Sequence, residues 1–169
     1  EGLRIGLASV RPGTGEVVAL YGGQNYLSNQ LNDATQATAL AGSTFKPFAL
    51  AAALEDGVSL YSTWDGSSPR TIQGYTLQNY GNVSYGTVTL LKATENSINT
   101  PYVELGLQVG TDNVRKAAIK AGVPRDTTGL KADPTTVLGT ASPTALDMAN
   151  AYATFAARGE RADPQLIKQ

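Results

Sequence analysis

The sequence predicts an α/β fold of the α+β type, an antiparallel sheet flanked by helices. Two apolar runs near the start, "LRIGLASV" and "EVVALYGG", frame the turn-forming "RPGTG". Ala- and Leu-rich stretches with clear helix punctuation fill much of the rest. The strands are too few for the helices: one plain hairpin stands beside roughly five helices, and an isolated two-stranded sheet is marginal in water. The tail "ADPQLIKQ" reads as the entry to another strand. The remaining sheet strands are therefore expected downstream, on continuing chain or on a companion segment.

Taken in order, residues 3–23 form the hairpin, and residues 24–42 are small and polar with no clear period. A helix follows over 44–56, closed by Gly57. Pro47 is tolerated only in a first helical turn, so this helix must begin within a residue or two of Ser43. Residues 57–89 read mostly as a loop rich in Gly, Asn and aromatic residues, and a loop of that length is usually functional or disordered. The region 89–159 is helical. A short helix covers 89–96, Thr100-Pro101 opens the next, and Gly110 ends it. Thr111 caps a third, closed by Gly122, and Ser142-Pro143 opens a fourth, ended by Gly159. Residues 1–169 are read as one domain with a core, too short for two comfortable ones.

Composition removes several classes of chemistry. The chain has no cysteine, so disulfides, thiol catalysis and cysteine metal sites are excluded. It has no histidine either, hence no Ser-His-Asp triad and no histidine base. Acid–base work must fall to lysine, tyrosine or carboxylates. A formal net charge of -1 and scattered basic residues argue against a nucleic-acid partner. The longest apolar run, 48–54, is too short to span a bilayer, and no signal peptide opens the sequence; a soluble segment is expected.

In "AGSTFKPFAL" (41–50), Lys46 is the only charge between Ala34 and Leu54. Ser43 and Lys46 are spaced i, i+3 at a helix start, on one face. A helix N-terminus disfavours a cation, and apolar surroundings push a lysine pKa down. A neutral amine beside a serine hydroxyl is a general base for nucleophilic attack, and the same helix start offers the Ser43 N–H to an oxyanion. The plainer reading makes Ser43 an N-cap and lets Lys46 reach water. "NSINTP" (96–101) is a polar turn with a helix start, or a loop presenting Ser97 and Asn99 side by side. "WDG" (64–66) and "QNYGNVSYG" (78–86) either fill space beneath a loop or wall a substrate cleft, with Trp64 and Tyr80 as its aromatic contacts.

Together these elements resemble the penicillin-binding serine acyltransferases, whose signatures are Ser-x-x-Lys, Ser-Asp-Asn and Lys-Thr-Gly. The resemblance is closest to the transpeptidase domain of class A (bifunctional) penicillin-binding proteins of actinobacterial type, and covers essentially the whole chain. "RIGLASVRPGTGEVVALYGG" is similar to the family's opening hairpin and "AGSTFKPFALAAALEDG" to its nucleophile helix. "NYGNVSYGTVTLLKATENSINTPYVELGLQVG" resembles the approach to the second motif, and "LGTASPTALDMANAYATFAARG" a helix before the third. The resemblance implies Ser43 as acylated nucleophile, Lys46 as its base, Ser97 as proton shuttle and Asn99 as positioner of the acyl substrate. Ile98 stands where the β-lactamase form has Asp.

No Lys-Thr-Gly occurs, since the six lysines precede Pro, Ala, Ala, Ala, Ala and Gln. The chain is thus expected to be the N-terminal and helical portion of the fold and incomplete as an enzyme alone. A C-terminal companion segment would carry the third motif. The implied activity is peptidoglycan D,D-transpeptidation on stem peptides, trapped by β-lactams, with no metal or organic cofactor. The implied parent is membrane-anchored with an upstream glycosyltransferase domain, working on the outer face of the cytoplasmic membrane. Alternatives are a β-lactam-sensing module acylated without turnover, or a D,D-carboxypeptidase. Against hydrolysis, 123–139 contains no Glu, and Glu104 follows the second motif too closely to be a deacylating base.

Overall fold

The structure, a computed structural model, describes residues 3–167. They group into two compact units, one built from the residues up to 40, 118–130 and those from 141 onward, the other from 41–117 and 131–140.

In the first unit, β1 (Leu7–Val10) and β2 (Val17–Tyr21) pair antiparallel, Leu7 opposite Tyr21 and Ser9 opposite Ala19, with an irregularity between Ser9 and Val10. Arg11 and Glu16 close the turn through a backbone bond of 2.8 Å and a side-chain ion pair of 2.7 Å. The expected hairpin is present, its paired residues running from 7 to 21. The tail, read as the entry to another strand, forms no strand among the described residues but meets the hairpin by one bridge: the Val17 N–H donates to Gln165 O and the Gln165 N–H to Gly15 O. Helix α5 (Ala145–Ala156) packs on β1. It starts later than Ser142-Pro143, because Thr144 and Asp147 form a reciprocal capping box. The Thr144 hydroxyl accepts the Asp147 N–H at 3.1 Å, and the Asp147 carboxylate accepts the Thr144 N–H at 2.9 Å.

In the second unit, α1 (Lys46–Glu55) packs on α3 (Asn99–Val109), with α2 (Leu90–Glu95) leading into α3. Helix α4 (Thr111–Ala121) begins here and ends in the first unit. The core is built from Phe45 and Phe48, edge to face at 4.8 Å, with Leu90, Ile98, Tyr102 and Leu105. Burying each such side chain contributes roughly 1.5–3 kcal/mol. The helix expected over 44–56 opens instead as a 3₁₀ turn, Gly42–Phe45, and becomes α-helical at Lys46, with Pro47 in its first turn. Ser43 is therefore no N-cap; neither the turn nor α1 has a side-chain cap bond.

The stretch 57–89 carries more order than a loop. Strand β3 (Thr63–Asp65) pairs with β6 (Thr87–Thr89), and β4 (Arg70–Ile72) with β5 (Tyr75–Leu77), both antiparallel. Between β4 and β5, Gln73 and Gly74 take φ of 48° and 84°, the sign pattern of a type I′ hairpin turn. Among the described residues the sheets are all two-stranded.

Candidate active site

Four of the residues singled out in the sequence come together in the second unit. Lys46 Nζ lies 3.1 Å from Ser43 Oγ, 2.9 Å from Ser97 Oγ, 2.6 Å from the Ser97 carbonyl oxygen and 2.7 Å from Asn99 Oδ1. Each element has a local reason for delivering its group. The 3₁₀ turn and first turn of α1 put Ser43 and Lys46 on one side. Ser97 sits in the tight α2–α3 connection at φ 52°, a left-handed conformation costly for a residue with a Cβ. That conformation aims both its hydroxyl and its carbonyl at the lysine. Strain held at such a point is a common mark of a functional position.

Burial sets the electrostatics. Lys46 is 3% exposed, while Ser43 and Ser97 remain exposed. Loss of hydration lowers the Lys46 pKa to about 8, and its Nζ has no carboxylate partner. The Tyr102 ring lies 5.6 Å from Nζ. The surrounding groups can satisfy either protonation state, but only the neutral amine can act as a base. Of the four neighbours, the Ser97 carbonyl and Asn99 Oδ1 can only accept, and the Asn99 amide is oriented by its Nδ2 donating to Gln78 O at 2.9 Å. A neutral amine has two N–H groups for those two acceptors. Its lone pair then faces a serine hydroxyl. An ammonium has three N–H groups for four acceptors and no lone pair to take a proton.

Trp64 and Tyr80 are not brought to this cluster in the same way. Trp64 is 8% exposed, packed within β3, with Nε1 donating to Ser62 Oγ at 2.8 Å. It lines a separate depression with Ser59, Ser62, Asp65 and Glu104. Tyr80 is 95% exposed, two residues beyond Gln78. Glu104 is held by Arg70 at 2.9 Å. Sequence reasoning missed Gln78, Asn79 and Tyr102 as parts of this site. The first two lay inside the quoted "QNYGNVSYG", and Tyr102 follows Asn99 at i+3 on α3. Among the described residues, no group of three or more His, Cys, Asp or Glu could hold a metal ion.

The family model for the penicillin binding protein transpeptidase domain matches residues 6–169. The chain belongs to this family. Within the penicillin-binding transpeptidases it is 37% identical over 99% of its length to penicillin-binding protein 1A of Mycobacterium tuberculosis, of which it covers 22%. It is 36% identical over 96% of its length to penicillin-binding protein 1A of Aquifex aeolicus, covering 23% of that protein. The chain thus spans less than a quarter of the length of these relatives. Among solved structures, it resembles PonA1 from Mycobacterium tuberculosis in complex with penicillin V, with a TM-score of 0.85 and 36% identity. That likeness covers 94% of this chain and 45% of the other. Penicillin-binding protein 1A from Haemophilus influenzae follows at a TM-score of 0.81 and 33% identity, with 89% and 23% covered. The mixed helix–strand fold expected from the sequence is the fold of these transpeptidase domains. No helix of the described residues is long and apolar enough to cross a membrane.

Proposed function

We propose that this chain carries the acylating half of a serine D,D-transpeptidase that cross-links peptidoglycan. The observation that carries the reading is Lys46 buried between two serine hydroxyls, with two pure acceptors to take its N–H groups. Ser43 Oγ attacks the carbonyl of the penultimate D-alanine in an acyl-D-Ala-D-Ala stem peptide, and its proton passes to neutral Lys46 Nζ. The C–N bond to the terminal residue breaks. The Ser97 hydroxyl, in contact with Lys46, relays a proton to the leaving amine, and D-alanine departs. An acceptor amine from a neighbouring strand then attacks the Ser43 ester, returns its surplus proton along the same path and releases the cross-linked product. Asn99 retains one amide N–H beyond that given to Gln78, and this N–H is available to the acyl carbonyl. Exposed Tyr80 remains a candidate substrate contact; Trp64, being buried, is better suited to supporting β3. A β-lactam would acylate Ser43 by opening of its ring amide. Its amine stays tethered and does not diffuse away.

The relatives extend far beyond the matched stretch. In this reading a Lys-Thr-Gly-type motif completing the cleft is expected outside these 169 residues. So are a membrane anchor and a glycosyltransferase domain, in a parent acting on the outer face of the cytoplasmic membrane. The test is D-alanine release from an acyl-D-Ala-D-Ala donor by the whole protein, with and without an amine acceptor. Acyl transfer to the amine is expected. Release to water alone would replace this reading with a carboxypeptidase, and a stable adduct without release would replace it with a sensor.

A further inference from the structure

We infer that Asn79 is a positioning residue, holding the start of α3, and with it Asn99 and the Ser97 turn, in register with Lys46. The inference rests on the acyl-transfer reading above. Asn79 is 3% exposed, just ahead of a short 3₁₀ turn, Tyr80–Asn82, and twenty residues before α3. Its amide is fully used. Oδ1 accepts the N–H of Asn99 at 3.0 Å and that of Thr100 at 3.1 Å, while Nδ2 donates to Gly66 O and Val83 O, each at 2.9 Å. An amide side chain can accept two such bonds and donate two, so no capacity remains.

Helix α3 needs this group because of its own sequence. The first N–H groups of a helix have no intrahelical partner, and a hydroxyl or carboxamide at the N-cap usually takes one. The N-cap of α3 is Ile98, whose side chain offers no acceptor. Asn79 supplies the acceptor from a distant loop. The consequence reaches Lys46 through a single residue: the Asn99 main chain is bound to Asn79, and its side chain accepts from Lys46 at 2.7 Å. Ser97 lies two residues away, in a left-handed turn whose own backbone bonds run back to α2. The Ser97 N–H donates to Thr94 O at 3.1 Å and the Ile98 N–H to Ala93 O at 2.9 Å, leaving the α3 side of the turn to Asn79. The other end of the amide is anchored where β3 meets β6, since Gly66 exchanges backbone bonds with Gly86 and Tyr85. Asn79 thus ties the 66–86 loop to the catalytic turn.

Replacing Asn79 with Ala leaves two N–H groups of α3 and two carbonyls without this partner. A displacement of about 1 Å at a catalytic group costs on the order of a hundredfold in rate. Facing Lys46 Nζ are Ser43 from the turn before α1, Ser97 and Asn99 from the α2–α3 connection, and the Tyr102 ring from α3, none of them charged. A loosened wall admits water to Nζ and moves its titration up toward that of a free lysine.

The test uses the whole protein with penicillin V as probe, reading acylation rate against pH together with thermal stability. The wild type, Asn79→Ala and Thr144→Ala are compared, the last removing the cap of α5 as a control for simple loss of stability. Asn79→Ala is expected to acylate roughly a hundredfold more slowly, with its acid limb displaced to higher pH. Thr144→Ala should titrate and react as the wild type does. If Asn79→Ala reacts and titrates like Thr144→Ala, the inference is overturned while the acyl-transfer reading stands. If the wild type itself forms no adduct, both fall. Should Asn79→Ala fail to fold, Asn79→Asp is read at pH 9. It keeps the acceptors for α3, so a rate within about tenfold of wild type is expected, and a hundredfold loss would overturn the inference.

Discussion

Titrating the acylation rate probes Lys46 directly. The proposed base must be neutral to accept the Ser43 proton, and burial lowers its pKa from 10.5 to about 8. At pH 7 roughly one lysine in ten is then neutral, against about one in three thousand for an unperturbed side chain. Burial therefore raises the competent fraction about 300-fold, equivalent to about 3 kcal/mol. The sign follows from the charge: protonation inactivates, so activity is lost as pH falls through the folded-state value. The second-order rate constant for acylation by penicillin V should rise about tenfold per pH unit up to pH 7 and flatten above about pH 8. Stopped-flow competition with a fluorescent penicillin, between pH 5.5 and 9.5, would measure it. Lys46→Arg, which stays charged throughout, should show no plateau and a loss on the order of 10²–10⁴. A flat profile from pH 6 to 9 would refute lysine as the base. A rate still rising about tenfold per pH unit at about pH 9.5 would refute the claim that burial prepares it.

Two further outcomes follow from the geometry around Lys46. Ser97 pays for its φ of 52°, so Ser97→Gly should be more stable than Ser97→Ala by about 1 kcal/mol, with acylation impaired in both. Chemical denaturation decides it, and a more stable Ala variant would show that the turn is unstrained. Gly139 has φ 77° and lies directly against the backbone of Gly42, so a Cβ added to it would collide with the Gly42 main chain. Gly139→Ala should therefore destabilise by more than about 2 kcal/mol and disturb the Ser43 turn, visible as a lowered melting temperature with slowed acylation. An unchanged melting temperature would show that this contact can relax.

The hairpin and the helical punctuation were legible because they rest on local chemistry. Gly110 and Gly122 end helices as read, and Pro47 bounds α1. The isolation of one charge in an apolar stretch pointed to Lys46 before any geometry was known. Where local signals competed, the reading slipped. Ser142-Pro143 looked like a helix start, but the Thr144–Asp147 box outbid it. The strands within 57–89 are three residues each, too short for a periodic pattern, although "TIQGYT" held a Gln-Gly turn that could have revealed β4 and β5. Asn79 was beyond reach: its partners lie 4 to 21 residues away, and no local pattern announces a cap supplied across a loop.

Intact mass of the whole protein after incubation with penicillin V, followed by peptide mapping, tests the acyl-enzyme most directly. One adduct on Ser43, absent from Ser43→Ala and strongly slowed in Lys46→Arg, is the predicted result. An adduct on another residue, or one that persists in Ser43→Ala, would contradict the assignment of Ser43 as nucleophile and Lys46 as its base.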